Sequence, residues 1–163
     1  MPPQFARIRG AQGFQQSNPS VLATAALLGA LQVFERAGGM GPVRARSVRM
    51  TGYLEALLRQ SAFWVSAGEG MRPARRVGVA VITPTEPAER GAQLSLLFLP
   101  TGRGVMPRVL EGLSAHGVVG DSRKPDVIRL APCVLYNTWE DVERAVSVLE
   151  QVLEQIDSEG LDA

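Results

Sequence analysis

Across its 163 residues the sequence has one cysteine, one histidine and, at Lys124, one lysine. The lone Cys133 excludes an internal disulfide and any cysteine-cluster metal site. The lone His116 excludes a centre that needs two histidines from one chain. Charge of one sign is also missing. The net charge is +1, so no strong field calls for nucleic acid or an anionic membrane. Aromatics make up 6%, and the one adjacent pair, Phe63-Trp64, is a weak basis for stacking nucleic-acid bases. No apolar run reaches the roughly 20 residues of a membrane span. The start, Met1-Pro2-Pro3-Gln4, has no apolar core of a signal peptide. The expectation is a cytoplasmic, soluble protein with neither a nucleic-acid nor a membrane partner, and with no metal.

What is present is one domain's worth of amphipathic elements. Residues 1–16, with prolines at 2 and 3 and glycines at 10 and 13, read as an extended lead-in. Ser17-Asn18-Pro19 reads as a helix start, with Ser17 or Asn18 as cap. The helix running to about Arg36 is apolar nearly all round and expects burial on more than one side. Gly38-Gly39 stops it. A second helix is expected over Val43–Ser66, with Arg44, Arg46, Arg49 and Arg59 as a solvated face. Residues 17–66 thus form two long helices, and 67–157 an α/β part. Strands are expected at Val77–Ile82 and Gln93–Leu99, then a helix over Val105–His116 closed by Gly117. The β-branched pairs Val118-Val119 and Val127-Ile128 predict two more strands around an Asp121–Pro125 turn. Thr138 caps the last helix with Asp141 completing a capping box, and 158–163 read as a frayed tail. The sum is α+β: two N-terminal helices, then a short four-stranded, mostly antiparallel sheet covered by helices.

No nucleophile–base pair and no phosphate-cradling glycine loop is visible. One residue is suggestive. Arg129 interrupts the apolar run Ile128-Arg129-Leu130-Ala131-Pro132, and alternation along a strand points it away from Ile128 and Leu130. A guanidinium there suits a carboxylate, gripped by two parallel hydrogen bonds worth about 1.5–3 kcal/mol each. It equally suits an acid of this same chain, or plain solvent. Asn18 reads as a helix cap.

Several motifs together resemble the C-terminal third of kynureninase, in its fungal form especially: Arg-Gly-Ala-Gln-Gly-Phe-Gln-Gln-Ser-Asn-Pro-Ser (9–20), Ile-Thr-Pro (82–84), Glu-Arg-Gly-Ala-Gln-Leu-Ser (89–95), Gly-Val-Val-Gly-Asp-Ser-Arg (117–123) and Ile-Arg-Leu-Ala-Pro-Cys-Val-Leu-Tyr-Asn-Thr (128–138). The likeness runs from about Gly10 to Leu153. Cys133-Val134 departs from the family's usual residues at a place that carries no chemistry.

The resemblance implies the small C-terminal domain of a pyridoxal-phosphate enzyme of the aspartate-aminotransferase fold type. It implies hydrolysis of the Cβ–Cγ bond of kynurenine or 3-hydroxykynurenine to alanine and anthranilate or 3-hydroxyanthranilate, in tryptophan catabolism and NAD biosynthesis. The cofactor is the electron sink of that chemistry. Its Schiff-base lysine belongs to a preceding large domain that has no counterpart here, and Lys124 does not match that motif. The isolated chain is therefore expected to be inactive, a fragment of a homodimeric enzyme. By the same resemblance Arg129 binds the substrate α-carboxylate, and Asn18 lies near both the cofactor and the substrate ring. Two alternatives stand beside this reading. One is a non-catalytic interaction module derived from such a domain. The other is the small domain of another enzyme of that fold type, a cysteine desulfurase or an aminotransferase, against which Glu89-Arg90-Gly91 and Leu135-Tyr136-Asn137-Thr138 argue.

Overall fold

The computed structural model describes residues 8–68 and 71–161. The chain divides into two compact units, 1–40 and 41–163. The first holds a short 3-10 turn, Ala11–Phe14, and helix α1, Val21–Arg36. The part of the expected lead-in before residue 8 lies outside the described residues. Ser20, not Ser17 or Asn18, caps α1, its Oγ accepting the Ala23 amide at 3.4 Å. Pro19 therefore precedes the cap instead of entering the first turn. No residue of α1 is buried; Val21, Leu22 and Leu28 are 81%, 83% and 57% exposed. The described residues of its own unit do not supply the burial that its composition calls for.

The second unit is an α+β sandwich of two layers. Helix α2 spans Met40–Gln60, and four strands follow: β1 Gly78–Val81, β2 Leu94–Leu99, β3 Asp121–Arg123 and β4 Val127–Leu130. Between β2 and β3 lies α3, Val105–Ala115, and after β4 comes α4, Trp139–Glu159. The strands pair antiparallel throughout in the order β1-β2-β4-β3. Residues of even parity on β2 and β4, among them Leu94, Leu96, Phe98, Ile128 and Leu130, join Met50, Leu54 and Leu58 of α2 and the inner faces of α3 and α4 in one core. The three helices thus lie on one face of the sheet. A smaller cluster of Val65, Ala80 and Leu99, with Met71 and Leu97 against it, lies on the other face.

Two elements depart from the sequence reading. The expected second helix stops at Gln60, six residues early, and starts at Met40. Residues 63–65 leave the helix to pair with β1: the Val65 amide donates to the Val79 carbonyl and the Val79 amide to the Phe63 carbonyl, each at 2.9 Å. This Phe-Trp-Val run favours an extended backbone once a strand is there to receive it. The expected strand at Val118-Val119 is instead a loop, with Val119 91% exposed. The strand comes later, at Asp121–Arg123, in residues read as a turn. Pairing to β4 overrides intrinsic preference there, and Gly120 makes it possible: a Cβ at that position would sit 2.6 Å from Ile128 Cγ2. The C-terminal tail begins later than expected, since α4 persists to Glu159 and Leu161 packs on the core. The Thr138–Asp141 capping box is present as read. His116 is the C-cap of α3, its Nδ1 2.8 Å from the Gly112 carbonyl oxygen.

Gly112 marks the tightest helix contact, because a Cβ there would lie 2.6 and 2.7 Å from the two methyls of Val152 on α4. At Gly52 on α2 a Cβ would meet nothing within 4 Å. Alanine at each position should therefore act with opposite sign. Gly52→Ala gains helix propensity and should stabilise by about 0.5–1 kcal/mol. Gly112→Ala meets a stiff β-branched neighbour, and its overpacking, about 1–3 kcal/mol, should outweigh the same gain. Urea unfolding of the two variants checks both signs.

Candidate carboxylate-binding site

Arg129 lies on β4 with Ser95 of β2 opposite on one side and Asp121 of β3 opposite on the other. All three alternate away from the main core, so they form a polar row across the outer face. The Arg129 side chain is 29% exposed. Its Nη2 donates to Asp121 Oδ2, and its Nε is buried with no hydrogen-bond partner among the described residues. The same Asp121 oxygen accepts from Arg123 Nη2 at 2.8 Å. Arg123 sits two residues along β3, so it shares the outward face with Asp121. Two guanidiniums thus share one carboxylate, and the trio carries an unmatched positive charge. Sequence reasoning places Asp121 and Arg123 in a turn and so misses them as site residues. The available signal is the Asp-x-Arg spacing, which places both groups on one side of a strand.

The row is fixed by the connection between β1 and β2. The Thr83 hydroxyl accepts the Ser95 amide at 2.8 Å, and Gln93 Nε2 donates to Ser95 Oγ at 3.2 Å. The loop is in turn tied to α2. Arg44 Nη2 donates to the carbonyls of Pro87 and, at 2.9 Å, of Arg90, while Thr51 Oγ1 donates to the Ala92 carbonyl at 3.0 Å. Arg90 turns inward, 5% exposed, to pair with Glu55 Oε2 at 2.6 Å, and Arg59 holds the other oxygen of Glu55. Burial pushes the Glu55 carboxyl up, but hydrogen bonds from Arg59 and Arg90 and the charges of both outweigh it and hold it below the ordinary glutamate value. The arginines of α2 are therefore only partly the solvated face expected of them. Arg44, Arg46 and Arg59 each hold a partner, Arg46 the Asn137 carbonyl at 3.0 Å.

Asn18 belongs to the first unit, exposed in the segment ahead of α1. It caps no helix, since Ser20 does. Arg129 belongs to the second unit, and each is described within its own. The open clefts among the described residues of the second unit include one under Phe63 and α4 and another, of about 530 Å³, between α4 and the segments around Val118 and Pro132. Neither is lined by Arg129 or Asn18. The arrangement offers a positively charged, outward-facing anchor for an anion.

The family model for the kynureninase C-terminal domain matches residues 43–149. This chain belongs to the kynureninase C-terminal domain family. Relatives agree along nearly its whole length. The kynureninase of Eremothecium gossypii is 53% identical over 157 residues, 92% of this chain. That of Cryptococcus neoformans is 44% identical over 159 residues, 98% of this chain. That of Saccharomyces cerevisiae is 43% identical over 159 residues, 93% of this chain. In each case the match spans 34% of the relative's length. The kynureninase match thus covers both units, including the exposed helix α1 and the Arg129 row.

Proposed function

We propose that this chain is the substrate-carboxylate part of a kynureninase and works only when joined to the rest of that enzyme. The observation that carries the reading is Arg129: a guanidinium on the outward sheet face of a kynureninase C-terminal domain, still part-exposed and in a trio with one unmatched positive charge. In the complete protein it would take the α-carboxylate of kynurenine or 3-hydroxykynurenine and fix the amino acid so that its labile bonds are oriented. Asn18 would hydrogen-bond the ring substituent or a phosphate oxygen of pyridoxal phosphate. The described residues of this chain do not make a cofactor site by themselves. Lys124, the one lysine, is exposed in the turn between β3 and β4, and no cradle of donors for a phosphate accompanies Asn18 among the described residues. In this reading the groups that hold the cofactor belong to the remainder of the enzyme.

A larger partner domain accounts for α1. The curated relatives are about three times as long as the matched segment and have two thirds of their length with which to cover an apolar helix that the described residues of its own unit leave exposed. A homodimer of the joined enzyme is part of the same proposal. The test is a chimera in which these residues replace the matching third of the Eremothecium gossypii kynureninase. Release of anthranilate from kynurenine is expected from the chimera and not from the 163-residue chain alone. A chimera that folds, binds pyridoxal phosphate and releases no anthranilate would overturn the proposal.

A further inference from the structure

Resting on the reading of Arg129 as a carboxylate anchor, we propose that Asp121 is a displaceable internal anion and that Arg123 is the residue that receives it. Arg129 is not vacant in the absence of a ligand, because Asp121 Oδ2 already accepts from its Nη2. An incoming carboxylate must therefore compete with a carboxylate built into the fold. The side chain's other route is closed: Nε is buried, so a ligand cannot take the Nε–Nη2 edge without rearrangement. It must approach through the Nη nitrogens, one of which, Nη2, Asp121 already holds.

The ease of that exchange depends on what Asp121 does when it lets go. Its oxygen is already 2.8 Å from Arg123 Nη2, and at 50% exposure it has room to turn. Arg123, 56% exposed, can keep the ion pair when Arg129 is taken, so the displaced charge is never left unpaired. The charge count fits: two cations and one anion become two cations and two anions. Asp121 and Arg123 are positioning residues in this scheme, since they act on the ligand through Arg129. On the neighbouring strand, Ser95 sits opposite Arg129 and accepts a hydrogen bond from Gln93 Nε2.

The scheme makes the two substitutions act in opposite directions. In the 163-residue chain, the Arg129 Nε–H resonance, assigned by its loss in Arg129→Lys, is followed in NMR titrations with L-alanine, and with L-alaninamide as a control lacking the carboxylate. Asp121→Asn should bind L-alanine about three- to fivefold tighter than the parent, and Arg123→Ala weaker by a similar factor, the size of a part-exposed ion pair. The double variant should bind like Asp121→Asn, because Arg123 has no role once the acid is gone. If Arg123→Ala still weakens binding in the Asp121→Asn background, Arg123 attracts the ligand directly and the relay is wrong. If Asp121→Asn binds no more tightly than the parent, the displacement idea falls while Arg129 as anchor survives. If no variant responds to L-alanine more than to the amide, the anchor reading itself falls and takes the relay with it.

Discussion

Replacing Glu55 by alanine is expected to cost the second unit about 3–5 kcal/mol, the range for stripping one partner from a buried ion pair. Glu55 is 9% exposed and Arg90 5%, so the variant leaves a guanidinium inside the fold with no counter-charge. Urea unfolding followed by circular dichroism measures it, and a loss below about 1 kcal/mol, the ceiling for an exposed pair, would refute it. Arg90→Leu added to Glu55→Ala should restore much of the loss, because the destabilising element is the unpaired charge. The pair also fixes the direction of the pH dependence. The folded carboxyl is held below its ordinary value, so the unfolded chain takes up a proton first as the medium is acidified. Its contribution is complete above about pH 4.3 and drains away as the pH falls through the folded value. The stability gap between the parent and Glu55→Gln should therefore hold above about pH 4.3 and shrink as the pH falls below it.

Arg129→Met in the active chimera should lower kcat/KM for kynurenine about 10- to 150-fold, the equivalent of one lost charge-assisted hydrogen bond of about 1.5–3 kcal/mol. Arg129→Lys should recover only part, because an ammonium cannot reproduce the planar fork. Neither change should move the unfolding free energy by more than about 1 kcal/mol, since the partner Asp121 is half exposed and such pairs contribute little to stability. The split between a large kinetic loss and a small stability change separates substrate binding from a structural role. Equal losses in both would assign Arg129 to the fold.

The helices α3 and α4 are legible in the sequence because their apolar residues recur at helical spacing and their ends carry recognisable stops and caps. Val109, Leu113, Val142, Val146, Leu149, Val152, Leu153 and Ile156 are buried as the pattern requires. The strands around Leu94–Leu99 and Val127–Leu130 are legible for the same reason at period two. What cannot be read is what pairing imposes from a distance. The polar Asp121–Arg123 is a strand because β4 offers it a ladder, and Phe63–Val65 leaves its helix because β1 does. Alternation alone places Arg129 on the outward face. It does not reveal the partner, since an acid eight residues away is invisible until the register is known. The inward turn of Arg90 onto Glu55 has no sequence signature at all.

The order β1-β2-β4-β3 leaves the two outer strands with different fates. The margin of β1 is sealed by the 63–65 segment, through a parallel bridge from Trp64 to Val79. The margin of β3 has no such cover among the described residues. It is three residues long and charged at both ends, the features that discourage a foreign strand from adding on. Asp121 and Arg123 therefore guard the sheet against open-ended growth as well as facing Arg129. Exchanging both for valine would give the chain a bare, sticky border and a tendency to stack edge to edge into fibrils.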